Sequence, residues 1–180
     1  MTFHDLARTR RSIRDFCERQ ISREDLELCV EAARYAPSAC NSQPWKFVII
    51  DDPEKKHAVA SFVLSGLYAM NTFAGKAQAY VAIVSENMKP PAWAGGKLRN
   101  THFGRIDTGI ACGHIVLQAR ELGIGSCILG WFDEKSLKKI LRVPASKRIE
   151  LLIALGYPSQ TDIPEKHIKN REETVSFNTY

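Results

Sequence analysis

Apolar side chains recur at helical spacing near the start of the chain. Thr2 and Asp5 have the spacing of a capping box in front of a short amphipathic helix. Ser22 is the candidate cap of a second helix, whose buried face follows the i, i+3, i+4, i+7 spacing at Leu26, Cys29, Val30 and Ala33. These patterns predict two amphipathic helices, the second of them ended by Pro37.

Three later stretches also have helical patterns. A third helix is predicted from Pro53 to about Asn71, and Asp133 is placed to cap a short helix that ends near Leu141. Between residues 105 and 122 the chain is apolar on nearly all sides and carries several small residues. We therefore predict a central helix that packs against neighbours on several faces.

Short β-branched runs alternate with these helices. Residues 47–50, 79–84 and 149–155 are predicted to be buried strands. Residues 86–104 contain paired prolines and paired glycines without periodicity, which predicts a long loop that shapes a substrate pocket. The polar tail, 159–180, includes a strand-like stretch at 175–177 that could pair with a sheet edge of this chain or of a partner.

The interleaved pattern and the composition favour one soluble α+β domain that spans residues 1–180. The chain has 44% hydrophobic and 25% charged residues, and no window is apolar enough to cross a membrane. Five cysteines without a C-x-x-C pair indicate free thiols in a reducing cytoplasm. The histidines lack metal-ligand spacing, so no metal site is predicted.

The net charge of +5 raises the question of a nucleic-acid partner. The basic residues are concentrated only at 8–14 and are otherwise scattered among acids, which favours a small anionic ligand instead. In that cluster, Arg10-Arg11-Ser12-x-Arg14 combines forked donors with a hydroxyl, a combination suited to a phosphate or an electron-rich ring edge. The alternative interpretation is a solvated basic turn.

Two further segments have unusual composition. Residues 36–45 bring short hydrogen-bonding side chains, two prolines and a tryptophan into one stiff loop, although an ordinary turn uses the same residue types. Residues 122–132 are punctuated by glycines after the central helix, which would let bare backbone approach a flat ligand. A plain loop is the alternative there.

Together and in this order, these segments resemble the nitroreductase family. The resemblance is carried by "RRSIRDF" near the start, "AARYAPSACNSQPWKFVII", "LGIGSCILGWFDE" and "LLIALGYP" before a basic tail. It covers nearly the whole chain, and its specificity lies in the combination of segments. It implies an α+β fold with a central, mainly antiparallel sheet flanked by helices. It also implies an intertwined homodimer, with one flavin mononucleotide (FMN) in each of two interface clefts and the tail 159–180 extended over the partner subunit.

The resemblance also implies which residues bind the cofactor. The FMN phosphate and ribityl chain are expected to be bound by Arg10, Arg11 and Ser12. Arg14 is expected to face the N1/O2 side of the ring and to stabilise reduced flavin. The same flavin is approached from the other subunit by Pro37, Ser38, Ala39 and Asn41. The ring is flanked by Ile128, Leu129 and Gly130, and Asn71 lies where some relatives place a further contact. The candidates for a C-terminal phosphate contact are Lys169 and Arg171, although the family's adjacent basic residues followed by Pro-Leu are absent here.

The activity implied by the resemblance is a ping-pong reduction of nitroaromatics, quinones or related small acceptors, with NAD(P)H as electron donor. Flavin N5 carries the hydride, so no side chain is assigned as catalytic. Two alternatives stay open: a flavin-binding or other ligand-binding protein without turnover, and a family member with another flavin reaction such as dehalogenation or dehydrogenation. The choice between NADH and NADPH also stays open.

Overall fold

A computed structural model of the chain describes residues 1–64, 66–160 and 166–180. The helices in these ranges are α1 (Phe3–Thr9), α2 (Arg23–Arg34), α3 (Pro53–Leu64), α4 (Pro90–Arg99), α5 (Phe103–Glu121) and α6 (Glu134–Leu141). The strands are β1 (Trp45–Ile50), β2 (Ala79–Ser85), β3 (Gly125–Leu129) and β4 (Ile149–Gly156). Short 3-10 segments occur at Ala39–Asn41, Gly66–Lys76 and Arg171–Glu173. None of the helices in the described ranges is long and apolar enough to span a membrane.

The four strands form one antiparallel sheet in the order β1-β2-β4-β3. β1 and β3 are therefore its edge strands, and Gly125 of β3 lies opposite Gly156 of β4. Helices and sheet combine as predicted, so the α+β class with an antiparallel sheet is confirmed.

Helices cover both faces of the sheet. On one face a buried cluster that includes residues of α3 and α6 contains the β2 side chains Tyr80, Ala82 and Val84. On the other face the cluster formed with α2 and α5 contains Ala79, Val81 and Ile83. Since successive side chains of a strand point to opposite faces, a strand covered on both sides has to be apolar throughout. The uninterrupted apolar run in β2 has this cause.

The helix starts predicted from capping residues are confirmed. Thr2 and Asp5 form a reciprocal capping box, and Ser22 accepts a hydrogen bond from the backbone of Asp25 at 3.0 Å. Asp133 accepts one from the backbone of Ser136 at 3.1 Å. Each contact satisfies a backbone donor that the first turn of a helix leaves unpaired.

The prediction of a loop throughout 86–104 is wrong, because α4 occupies its middle. The paired prolines begin this helix, where the missing N–H groups cost nothing. Asn100 ends it in the left-handed conformation. Gly96 is required by packing, because an added Cβ would lie 2.7 Å from the carbonyl oxygen of Thr101. Proline and glycine disfavour a helix at most positions, but here the paired prolines begin α4 and Gly96 lies on its packed side.

Three other predictions need correction. Residues 125–129 form strand β3 instead of the plain loop that the sequence left open as an alternative, since the segment pairs with β4 and all of its residues except Ile128 are buried. The third helix ends at Leu64, and a 3-10 segment from Gly66 replaces its predicted second half, while residue 65 lies outside the described residues. Residues 175–177 form no strand in the described part of the tail, and residues 161–165 of that tail lie outside it.

Candidate functional site

The arginine segment is seated in a notch made by two glycines. An added Cβ on Gly125 would lie 2.8 Å from Ile13, and one on Gly156 would lie 2.8 Å from Phe16. The backbone continues the attachment, because the N–H of Ile13 donates to Ser126 O and that of Cys17 donates to Tyr157 O, both at 2.9 Å. Ile13 and Phe16 are buried, so the chain between them is held against β3 and β4.

Three arginines meet beside this notch. Arg10, Arg11 and Arg120 line a small cleft together with Ser126 at the start of β3. The Nε of Arg120 donates to Thr9 Oγ1 at 3.2 Å, which holds the end of α5 against α1. Arg11 donates from Nη1 to the carbonyl oxygens of Arg8 and Arg10 at 2.5 and 3.0 Å. One nitrogen of its guanidinium therefore satisfies backbone acceptors at the end of α1.

Farther along the segment, Arg14 lies on the side of the cleft next to a phenyl ring. Its Cζ is 5.7 Å from the centroid of Phe73, which is within cation–π distance. Ser12 and Arg14 are both exposed, since Ile13 between them points into the notch. The alternation presents the hydroxyl and the guanidinium on the open side of the segment.

The exposed edge of β3 has room for a flat group. Ile128 is 43% exposed, Leu129 is buried, and a Cβ added to Gly130 would meet nothing within 4 Å. Behind this edge, the buried Asn71 donates from Nδ2 to the carbonyl oxygen of Trp131 at 2.7 Å. Asn71 therefore fixes the backbone that follows Gly130.

The second predicted segment is a tight turn of unusual conformation. Cys40, Asn41 and Gln43 all have left-handed backbone angles, with φ of 52°, 49° and 47°, although none is a glycine. Such conformations are sterically unfavourable and need supporting contacts. Ser38 Oγ accepts from the N–H of Gln43 at 2.9 Å, and Ser42 Oγ accepts from the N–H of Lys89 at 3.2 Å. Pro37 and Asn41 are exposed, and Ser38 and Ala39 are half-buried.

A buried carboxylate ties this turn to α5. The N–H of Ala39 donates to Asp107 Oδ2 at 3.1 Å, and Asp107 is only 4% exposed. Burial raises the pKa of the Asp107 carboxyl above its ordinary value, and the hydrogen bond from Ala39 offsets part of the rise. This contact fixes where the turn lies on the molecule.

The two halves of the predicted site lie at opposite ends of α5 within one chain. Asp107, which holds the turn, is near the start of this helix, while Arg120, which lines the arginine cleft, is in its last turn. At a rise of 1.5 Å per residue, the two positions are about 20 Å apart along the axis. The turn and the arginine cleft are thus separate surfaces of a single chain.

A third surface is the cavity between α4 and the start of α5, with a volume of about 410 Å³. It brings together Trp93, His102 and Phe103, which belong to the segment 86–104 that was predicted to shape a substrate pocket. Lys97 Nζ lies 4.9 Å from the ring centroid of Trp93. Pro44, at the end of the turn, lines the same cavity and so connects it with the turn.

The C-terminal candidates lie in an exposed part of the tail. Lys169 and Arg171 are exposed, like every residue from 166 to 180. Within the described residues no hydrogen bond or ion pair joins either side chain to the arginine segment. The contacts that the structure gives this stretch are local, such as the capping box between Asn170 and Glu173.

The cysteines near the cleft are inert thiols. Burial raises the pKa of Cys112 to about 12. It also raises the pKa of Cys127, where the nearby charges of Arg14 and Arg10 oppose part of the rise. A thiol with a raised pKa carries little nucleophilic thiolate at neutral pH. Cys40 is the exposed cysteine of the five.

Sequence reasoning missed two residues, Arg120 and Asp107. Arg120 is 111 residues from Thr9, and Asp107 is 68 residues from Ala39, so neither contact leaves a local pattern. The one signal available for Asp107 was a carboxylate on the otherwise apolar part of a helix.

The antiparallel sheet with helices on both faces, and the arginine segment seated beside its edge strand, define an α+β protein built around a basic cleft. Residues 7–157 match the sequence model described as the Nitroreductase family. The chain therefore belongs to the nitroreductase family.

Individual relatives agree with this assignment. The chain is 36% identical over 156 residues to an Archaeoglobus fulgidus protein provisionally named NADH dehydrogenase/NAD(P)H nitroreductase, covering 83% of this chain and 82% of the relative. It is 25% identical over 185 residues to an iodotyrosine deiodinase of Thermotoga neapolitana, covering 98% of both. The solved structure of an FMN-dependent nitroreductase from Clostridium difficile superposes with a TM-score of 0.74 at 27% identity, covering 97% of this chain and 98% of the other.

Proposed function

We propose that the chain is an FMN-dependent oxidoreductase that works as a homodimer and uses NAD(P)H to reduce small acceptors such as nitroaromatics or quinones. The observation that carries this proposal is the arginine segment seated on the Gly125–Gly156 notch, beside the open edge of β3. Family membership makes the chain an oxidoreductase of the nitroreductase type. The relatives' names extend the proposal to a nicotinamide donor and to FMN.

The residues at the cleft fit the two ends of FMN. A phosphate needs several donors, and Arg10, Arg11 and Arg120 line the same narrow cleft, with Ser12 nearby. A flat ring needs an open apolar surface, and the stretch 128–130 offers one: Ile128 is partly exposed, and a Cβ added to Gly130 would meet nothing within 4 Å. Charge-assisted hydrogen bonds contribute about 1.5–3 kcal/mol each, so three of them with ring burial suffice for micromolar binding.

Each residue has a separate task in this proposal. The phosphate is held by Arg10, Arg11, Ser12 and Arg120, with Lys169 or Arg171 added from the tail. Arg14 lies toward the N1/O2 side of the ring, and Ile128, Leu129 and Gly130 flank the ring itself. The other subunit contributes its turn at Pro37, Ser38, Ala39 and Asn41.

The homodimer follows from the separation of the two half-sites. Because the turn and the arginine cleft are about 20 Å apart along α5, we propose that the turn of one subunit completes the cleft of the other. The outer face of α5 supports this arrangement. It exposes Ile106 and Ile110, and a Cβ added to Gly109 or Gly113 would meet nothing within 4 Å. Residues 166–180 are all exposed and are available to cross onto the partner.

When bound, FMN supplies hydride transfer at N5, which lets a nicotinamide donor and an acceptor react in turn. Arg14 stabilises the negative charge that reduction places near N1/O2, because a fixed cation there needs no reorganisation. Its contact with Phe73 restricts the guanidinium to that side of the cleft. The cavity with Trp93 and Phe103, next to the turn, is the proposed acceptor pocket.

A second reaction, reductive dehalogenation, is favoured by one observation. The match to the iodotyrosine deiodinase of Thermotoga neapolitana, at 25% identity, covers 98% of this chain and 98% of that protein. An acceptor screen that includes iodotyrosine beside a nitroaromatic and a quinone separates the two functions. The faster acceptor under equal donor concentration identifies the reaction.

The proposed function is tested by visible absorption of the purified protein. We expect a band near 450 nm, characteristic of oxidised flavin, that bleaches when NADH or NADPH is added without oxygen. The faster donor identifies the nicotinamide. A colourless protein that neither binds added FMN nor oxidises either nicotinamide would contradict the proposal and favour a binding protein without turnover. We place the protein in the cytoplasm as part of the same proposal, since its five cysteines are free thiols.

A further inference from the structure

Asp107 is a buried acid that the proposed chemistry does not use. It is 4% exposed and lies on α5, whose other buried residues are almost all apolar. An acid in such a place is costly unless it makes a hydrogen bond that the fold needs. The hydrogen bond that Asp107 makes is not within its own helix. It accepts the N–H of Ala39, 68 residues earlier in the chain.

The turn that donates this hydrogen bond is not held in its conformation by the intrinsic backbone preferences of its own residues. Cys40, Asn41 and Gln43 are left-handed without the freedom of glycine, so each of them favours a different conformation. The hydrogen bond from the N–H of Gln43 to Ser38 Oγ closes the turn. The hydrogen bond from the N–H of Lys89 to Ser42 Oγ attaches its far end to the segment before α4. The bond from Ala39 to Asp107 attaches it to α5.

The place of attachment matters because α5 is also the helix with the exposed apolar face. Asp107 points inward, while its neighbour Ile106 points outward on the proposed partner side. The carboxylate thus connects the turn to the element that would set the distance between subunits.

We infer that Asp107 is a positioning residue: its carboxylate holds the backbone of the turn 38–41 in the left-handed form that contacts the flavin of the other subunit. This inference rests on the proposed function for the identity of the ligand. The attachment of the turn to α5 can be measured without any flavin.

The experiment compares Asp107→Ala and Asp107→Asn in the full-length protein. Alanine removes the acceptor, whereas asparagine keeps an oxygen that can accept from Ala39. Asp133→Asn is the matched control, because Asp133 also accepts a backbone N–H, at 3.1 Å, but at the start of α6. Hydrogen exchange of the flavin-free proteins is followed in peptides that cover the turn, α5 and the sheet, and FMN affinity is then titrated separately.

In Asp107→Ala we expect exchange in the turn to be at least about tenfold faster, with the sheet unchanged, and FMN affinity to be about tenfold weaker. At saturating FMN, kcat for nicotinamide oxidation should return close to the wild-type value. Asp107→Asn should stay within about threefold of wild type in both measurements. The control should leave the turn unchanged.

Two results would overturn the inference. One is unchanged exchange in the turn of Asp107→Ala, and the other is exchange that increases equally throughout α5 and the sheet, which indicates general destabilisation. If Asp107→Ala folds too poorly to be measured, exchange in the turn of Asp107→Asn decides: protection retained in a folded protein supports the inference, and protection lost overturns it. Failure of wild-type protein to bind FMN is a separate outcome that contradicts the proposed function, while the exchange result still decides whether Asp107 positions the turn.

Discussion

Arg14 differs from the other arginines of its segment in what surrounds its guanidinium. Arg11 donates to the carbonyl oxygens at the end of α1, and Arg10 lines the narrow part of the cleft. Arg14 instead lies against the face of Phe73 and is otherwise exposed. Its charge is therefore available to the ring end of a bound flavin rather than to the phosphate end.

Substituting Arg14 should affect flavin reduction more than flavin binding. For Arg14→Ala we expect reduction by the nicotinamide to be about tenfold to a hundredfold slower, because one charge-assisted contact to the reduced ring is lost. The measurement is stopped-flow bleaching of the flavin band at saturating donor. Arg23→Ala, which breaks an exposed ion pair with Asp51, is the control and should react at the wild-type rate. Equal rates in Arg14→Ala and Arg23→Ala would remove Arg14 from the proposed mechanism.

Candidate side chains could be predicted where chemistry and spacing coincide in a short segment. Arg10, Ser12 and Arg14 were proposed because forked donors and a hydroxyl lie close together in one short segment. Arg120 and Asp107 were not found, because their partners are distant in sequence and leave no local pattern, although a carboxylate on an otherwise apolar helix was a signal for Asp107. The contacts that hold a site in place are tertiary, whereas the contacts that a ligand uses are often local.

At the scale of elements, prediction succeeded where the hydrophobic period is long and failed where backbone geometry decides. The buried face of α2 was predicted from helical spacing, and α5 was predicted as a helix that is apolar on nearly all sides. Strand β3 was not predicted, and its glycine-punctuated segment left a plain loop as the alternative, yet Gly125 is needed for the close approach of Ile13. In α4 the glycine pair has a similar reason, since Gly96 packs against the backbone at Thr101. Both glycines are needed for close packing against other segments of the chain, and this requirement cannot be recognised from the residues next to them in the sequence.

The start of α6 offers a test of stability against pH. Glu134 accepts from the N–H of Ile149 at 3.0 Å and pairs with Lys138 at 2.9 Å, which joins α6 to the first residue of β4. Burial raises the pKa of the Glu134 carboxyl, but the two contacts more than offset this and hold the pKa below its ordinary value. A group with a lowered folded-state pKa stabilises the fold above its unfolded-state pKa, and this contribution is lost as the pH falls through the folded value.

We expect Glu134→Gln to lower the free energy of unfolding by about 1 kcal/mol at pH 7, and the difference from wild type to shrink as the pH falls below about 4. Urea unfolding at several pH values provides the measurement. Glu31→Gln is the matched control, because Glu31 pairs with Arg34 on an exposed helix face and should cost about 0.5 kcal/mol or less. A difference for Glu134→Gln that is independent of pH would contradict the assignment.

At the scale of the whole molecule, the surfaces proposed for ligand binding are incomplete in one chain. The arginine cleft and the turn are separated by most of the length of α5, and the outer face of this helix exposes isoleucines and leaves space beside its glycines. Surfaces of this composition are typical of protein interfaces rather than of solvent-facing helices. Dimerisation would cover this face and bring two incomplete half-sites together.

Ile106→Glu should disrupt the proposed dimer. Placing a charge on a buried interface strongly favours dissociation, so we expect light scattering to report a monomer and bound FMN to be lost. Leu28→Glu is the control, since Leu28 of α2 is 50% exposed and Ile106 is 51% exposed. The control should remain a dimer with its flavin. A monomeric wild-type protein that binds FMN, or a dimer that persists in Ile106→Glu, would contradict this arrangement.

The glycine notch also determines when during synthesis the arginines can take their places. The seat of Phe16 includes Gly156, which the ribosome adds 140 residues later. At about 5–20 residues per second, the ribosome adds Gly156 roughly 7 to 28 seconds after Phe16. The arginine segment is therefore fixed only after Gly156 has been added, and any ligand that needs these arginines aligned is captured no earlier than that.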